Sequence, residues 1–73
     1  MTEVDALKLQ EAVQILRTAV LFPEQAEIVP AGNIARIAVN EADAWAVWLN
    51  RDVLVPAILE AGFEYAVLDL KGR

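Results

Sequence analysis

Ala61-Gly62-Phe63-Glu64-Tyr65-Ala66-Val67-Leu68-Asp69-Leu70-Lys71-Gly72-Arg73 sets a helix stop directly before a strand. A glycine just after a helical run halts the helix in the left-handed conformation that only glycine adopts cheaply. The residues from Glu64 to Leu70 are β-prone and apolar enough for a buried strand, expected in the middle of a sheet.

Upstream of this stop, the run from Val53 to Glu60 reads as a helix capped by Asp52, with Pro56 in its first turn, where a missing amide donor does little harm. Asn50-Arg51-Asp52 separates it from Ala44-Trp45-Ala46-Val47-Trp48-Leu49, a helix apolar all round. Asn40 caps that earlier helix, and Glu41 and Asp43 are acids of its first turn. Trp45 and Trp48 stand three apart and share a side. They suit an aromatic core layer first, a partner surface second, and a small-molecule platform third.

Further back, Ala26 to Val29 and Ile34 to Val39 are two apolar, β-branched runs around Pro30-Ala31-Gly32-Asn33, which together read as a hairpin. In the second run Ala35, Ile37 and Val39 face the core, and Arg36 lies on the opposite face or at an edge. Phe22-Pro23-Glu24 breaks the preceding helix, since proline has no amide hydrogen and disfavours helix in the residue before it. That first helix is expected over residues 3–21. Thr2 is its cap, and Val4, Leu9, Val13, Leu16 and Val20 form its core stripe.

The order is α-β-β-α-α-β, which reads as one small α+β domain over residues 1–73: a three-stranded mixed sheet with helices packed on one face. Two helical segments between the hairpin and the last strand are long enough for a crossover that sets strand 3 parallel to strand 2. Such a sheet leaves its other face bare, so Tyr65, Val67, Ile34 and Ala38 would seek a second sheet.

Composition excludes more than it assigns. The formal net charge is −5, and the six basic residues, Lys8, Arg17, Arg36, Arg51, Lys71 and Arg73, are scattered, so no positive stripe awaits nucleic acid. The chain has no His, Cys or Ser, which rules out the usual triads, thiol nucleophiles and zinc sites; no catalytic residue, metal site or cofactor is assigned. No apolar run reaches the roughly 18 residues of a membrane span, and the N-terminus is acidic, so a soluble, cytoplasmic protein is expected. At 73 residues with 58% hydrophobic composition, the chain has more apolar surface than a small sphere can hide, and a homo-oligomer or a partner chain is expected.

The acid pairs Glu24 and Glu27, Glu41 and Asp43, and Glu60 and Glu64 read as solvated surface or helix caps. Asp69 differs, because a strand carboxylate between Leu68 and Leu70 must face water or pair with a cation, with Arg36 or Lys71 as candidates. Arg36 and Asp69 are therefore the candidate ligand-binding residues, and Trp45, Trp48 and Tyr65 the candidate interface residues.

Gly32-Asn33-Ile34-Ala35-Arg36-Ile37-Ala38-Val39 and the segment from Ala61 to Arg73 together resemble the C-terminal region of LarE-type ATP-dependent sulfur transferases, which are PP-loop ATPases. In that family a GD(I/L)ARIEV strand is followed by helices and an LGF(K/R)YVTLDLEGYR ending. The helix from Glu11 to Phe22 sits where the family has an EEFLRSLGF-like helix, so the likeness spans roughly residues 10 to 73. Arg36, Asp69 and Gly72 match the family pattern. The N-terminal ATPase domain, with its SGGxDS loop and sulfur-donating cysteine, has no counterpart here, so the ATP-dependent reaction cannot run on this chain. Where the family has a basic RVRHHG run, this sequence has Glu27-Ile28-Val29-Pro30-Ala31-Gly32.

The resemblance implies a non-catalytic domain that self-associates or docks on a PP-loop ATPase. A second expectation is a ligand-binding domain or enzyme whose site is completed across a subunit interface by Arg36, Asp69 and the tryptophans. A third is a small acidic adaptor between proteins.

Overall fold

A computed structural model describes residues 4–71, with the backbone alone of Lys71. The chain is α+β, with three α-helices and a three-stranded mixed sheet among the described residues. Helix α1 spans Ala6–Ala19. The cap expected at Thr2 lies outside the described residues. Asp5 takes that role, its carboxylate accepting from the amides of Leu7 at 3.0 Å and Lys8 at 3.2 Å. The Asp5 amide in turn donates to the Ala61 carbonyl at 2.7 Å, so the start of α1 is tied to the end of the last helix. At its far end α1 stops before residue 21, because Val20 is extended and a 3₁₀ turn, Pro23–Gln25, opens on proline.

Strands β1 (Glu27–Ala31) and β2 (Ile34–Asn40) form an antiparallel hairpin, with Ile28 opposite Ile37 and Ala31 opposite Ile34. The turn is shorter than expected. Gly32 and Asn33 alone make it, while Pro30 and Ala31 belong to the strand. Gly32 has φ +61°, and no described non-glycine residue has positive φ, which is the pattern of a II′ hairpin turn. Pro30 is tolerated because β1 is an edge strand, where a missing donor breaks no interior ladder.

From β2 the chain passes through a 3₁₀ turn, Glu41–Asp43, into α2 (Ala44–Leu49). The Asn40 side chain caps this turn by accepting from the Ala42 amide at 2.9 Å. At Asn50 the chain bends into α3 (Arg51–Glu60), which begins two residues before the expected start, with Asp52 inside its first turn and not at the cap. Pro56 consequently lies in the second turn and withholds the amide hydrogen that would reach the Asp52 carbonyl. Gly62, at φ 115°, ends the helix as expected.

Strand β3 (Tyr65–Lys71) pairs parallel to β2, from Ile34 opposite Tyr65 to Asn40 opposite Lys71. The sheet order is β1-β2-β3, which corrects the expected central place of the closing strand: β2 is central and β3 is an edge. A two-residue turn forces β1 and β2 to be neighbours, so β3 has only an outer position to take. The amides of Glu64 and Tyr65 donate to the Asn33 carbonyl at 2.8 and 3.3 Å, steering β3 onto the free side of β2.

All three helices contribute to one core with the face of β2 that carries Ala35, Ile37 and Val39. Ala12 and Leu16 of α1, Val47 of α2, and Leu54 and Ile58 of α3 pack there with Ile28, Ala61 and Phe63. No described element covers the opposite face, built from Val29, Ile34, Arg36, Ala38, Tyr65, Val67 and Asp69. Ala38 is an exception to the expected bareness: it is 4% exposed, a small side chain in register between Glu27 and Asp69. Among the described residues no helix is long and apolar enough to cross a membrane.

Candidate functional site

Arg36 stands in the middle of β2 and Asp69 two positions beyond its parallel partner Val67. Side chains two apart on neighbouring strands meet diagonally on one face, and here the Arg36 Nη2 donates to the Asp69 Oδ2 in an ion pair. The pairing of Asp69 with Arg36, one of the two partners open in the sequence, is therefore what forms. The two side chains are 48% and 41% exposed, so water screens the pair and its value to the fold is about 0.2–1 kcal/mol. Tyr65 lies on the same face beside Ile34, at the opposite end of β3 from Asp69, and is 59% exposed.

The tryptophans are placed elsewhere. Trp45 is 67% exposed and Trp48 53%, which overturns their first expectation as a core layer; Val47, between them, is the buried residue of α2. A six-residue helix that sends Val47 to the core turns Trp45 and Trp48, two residues before it and one after, away from that face, since only residues three or four apart share a side. The Arg51 guanidinium lies over the Trp48 ring, 4.0 Å from its centroid, and donates to the Trp48 carbonyl at 2.8 Å. Leu49 and Val53 continue this exposed apolar strip. Since α2 sits in the helical layer and Arg36 and Asp69 lie on the bare sheet face, these groups lie on different sides of the sheet and share no site within one chain.

One acid differs from its expected place in the first turn of α2. Asp43 is 1% exposed, and its carboxylate does not cap α2. Its two oxygens instead accept from the amides of Leu21 at 2.8 Å and Phe22 at 3.0 Å. These amides emerge where α1 has ended and have no helical acceptor, so Asp43 satisfies them and fastens the end of α1 to the start of α2. The available signal was redundancy, because Asn40 already caps the turn and a second acid amid Ala42, Ala44 and Trp45 needs a partner of its own. The other expected surface acids, Glu24, Glu27, Glu41, Glu60 and Glu64, are exposed. Glu64 accepts from the Asn33 side-chain amide at 3.1 Å, bracing the hairpin turn against β3.

Among the described residues no group of three or more acids gathers as a metal site. Two open depressions run along α1. One is lined by Leu7, Gln10, Val13, Gln14 and Arg17, among others, and the other lies beside Ile15, Thr18 and Asn50. Neither contains Arg36, Asp69 or a tryptophan. The chain matches no known protein family, and no curated protein is similar to it in sequence.

Proposed function

We propose that this chain is a non-catalytic assembly domain of the cytoplasm, similar to the C-terminal region of LarE-type sulfur transferases, that self-associates or docks on a PP-loop ATPase. The observation that supports this reading is the apolar surface left uncovered on both layers: Tyr65 and Val67 on the bare sheet face, and Trp45, Trp48 and Leu49 on α2. Exposed apolar patches of this kind on a small domain mark contact surfaces. The test is the mass in solution by light scattering, for the chain alone and mixed with a LarE-type PP-loop ATPase. A dimer or larger species, or a stable mixed complex, is the expected result. A chain that stays monomeric at high concentration and ignores the ATPase would overturn the reading.

A second reading, a small-ligand site completed across a subunit interface, is favoured by the half-exposed Arg36–Asp69 pair, whose guanidinium can still accept an anion from the solvent side. Arg36→Ala or Asp69→Asn protein that keeps its fold but loses binding of a phosphorylated or carboxylated small molecule would favour this reading over the first.

A further inference from the structure

The two edges of the sheet differ in how they meet a passing strand. An unpaired edge presents amide and carbonyl groups that invite another chain, and proteins block it with proline, charge, bulges or short strands. The β1 edge is blocked in this way: it is five residues long, contains Pro30 and begins with Glu27. The β3 edge is less protected: its charged residues are Asp69, which Arg36 pairs, and Lys71 at its very end. Its seven residues contain no proline or glycine and pair with β2 without a bulge, and they carry apolar side chains on both faces. Tyr65 and Val67 stand on the bare face. Leu68 and Leu70 stand on the helical side, yet are 45% and 37% exposed because the helical layer stops short of them.

From this contrast we infer that β3 pairs antiparallel with β3 of a second copy, with the two-fold axis at Leu68, making one six-stranded sheet. The inference rests on the self-associating form of the reading above and names its surface. Three features select a second copy as the occupant.

First, Leu68 is the middle residue of Tyr65–Lys71, so a two-fold there pairs every residue of the strand: Tyr65 with Lys71, Ala66 with Leu70, Val67 with Asp69, and Leu68 with itself. A small residue opposes a large one on the helical side. The pairing also keeps both helical layers on one side, since partners of matching parity share a face.

Second, the charges allow it. Two copies of net charge −5 repel each other in general, but the only acid of β3 is Asp69, and Arg36 already neutralises it. Moving the two-fold by one residue to Asp69 would set two carboxylates opposite each other, which is unfavourable; at Leu68 each Asp69 meets Val67.

Third, a standard interface takes about 800 Å² from each partner, roughly a sixth of this chain's 4813 Å². The exposed parts of Tyr65 and Val67 on one face and of Leu68 and Leu70 on the other flank the edge where such a contact forms.

The absence of cysteine makes the test clean. Residues on the axis of an antiparallel pair have Cα atoms about 4.5–5.5 Å apart, inside the usual disulfide range of about 4.4–6.8 Å. Leu68→Cys protein under mild oxidation should therefore give a covalent dimer on a non-reducing gel, whereas Trp45→Cys protein at the same concentration should not. Leu68→Lys, which sets two ammonium groups on the axis, should weaken self-association at least tenfold in sedimentation with an unchanged circular dichroism spectrum.

A dimer that cross-links through position 45 and not 68 overturns the edge pairing and leaves self-association standing. A chain that is monomeric but binds the ATPase overturns the edge pairing and leaves the docking reading intact. A chain that does neither overturns both.

Discussion

The two faces of the sheet are made from the same strands, yet one is closed and the other open. On the closed face Ala35, Ile37 and Val39 meet Leu16, Val47, Leu54 and Ile58, and apolar side chains from four elements interlock. On the open face β2 alternates Ile34, Arg36 and Ala38, and its largest polar interaction is an ion pair in contact with water. Burial is what makes a contact count: removing apolar area from water contributes roughly 25 cal/mol per Å², while an exposed ion pair trades one solvation for another. Stability should therefore reside on the closed face, and the open face should tolerate change unless another chain covers it.

The largest expected effect is on the closed face. Leu54 is 1% exposed, and Leu54→Ala leaves a cavity that the packed helices cannot fill, a cost of about 2–5 kcal/mol. At ~0.05–0.15 kcal/mol per residue, a chain this size has only ~4–11 kcal/mol of stability to lose. The urea midpoint of Leu54→Ala should fall far below that of the parent, or the variant should be unfolded in buffer. A parental midpoint would mean that the helical layer is not packed as described.

Asp43 comes next, and it tests whether the loops between the layers belong to the closed side. Two amides aim at two carboxylate oxygens. Asparagine offers one acceptor, and its amide nitrogen would confront the second donor. Asp43→Asn should cost about 1–3 kcal/mol, and thermal unfolding should begin several degrees lower. Serine at this position, with a single shorter acceptor, should do no better.

How much of this was legible in the sequence follows the same division. The closed face was legible because burial imposes periodicity: the β2 core residues, the helix stop at Gly62 and the parallel crossover all follow from apolar spacing and glycine chemistry. The central position expected for β3 was wrong, because an apolar strand was equated with a central one. A two-residue turn at Gly32-Asn33 leaves β3 only an outer position, and its apolar character reflects what it presents outward. The tryptophans misled for the same reason. Aromatic residues belong equally to cores and to contact surfaces, and only the rotation of α2, fixed by Val47, decides which. Arg36 and Asp69 were legible as one of two possible pairings, since a strand acid needs a cation and the register brings Arg36 to it. Asp43 was hidden because its partners are backbone amides some twenty residues away, which leave no mark in side-chain pattern.

Arg36→Ala then probes the open face directly. Both partners are about half exposed, so the loss should be within about 0.2–1 kcal/mol, a midpoint shift near the limit of urea titration. A larger loss would mean that the open face is covered in solution, because desolvation is what raises the value of an ion pair. Measured at low and at high protein concentration, the same variant would separate the two cases: a penalty that grows with concentration places Arg36 beside an interface.

The smallest expected change in stability is at Trp45, and it divides the uncovered surface into its two candidate halves. With 67% of the residue in water, Trp45→Ala should move the urea midpoint by no more than about 0.5 kcal/mol. Its value lies in fluorescence. If copies meet along β3, the exposed indoles of Trp45 and Trp48 stay in solvent, and acrylamide should quench them as strongly in the assembled protein as in the dilute monomer. If α2 is the contact, assembly desolvates both rings, quenching should fall as concentration rises, and Trp45→Ala should abolish association while leaving the fold intact. The two outcomes are exclusive for a dimer with one interface, so a quenching titration assigns the contact to the sheet or to the helix without altering a residue of either.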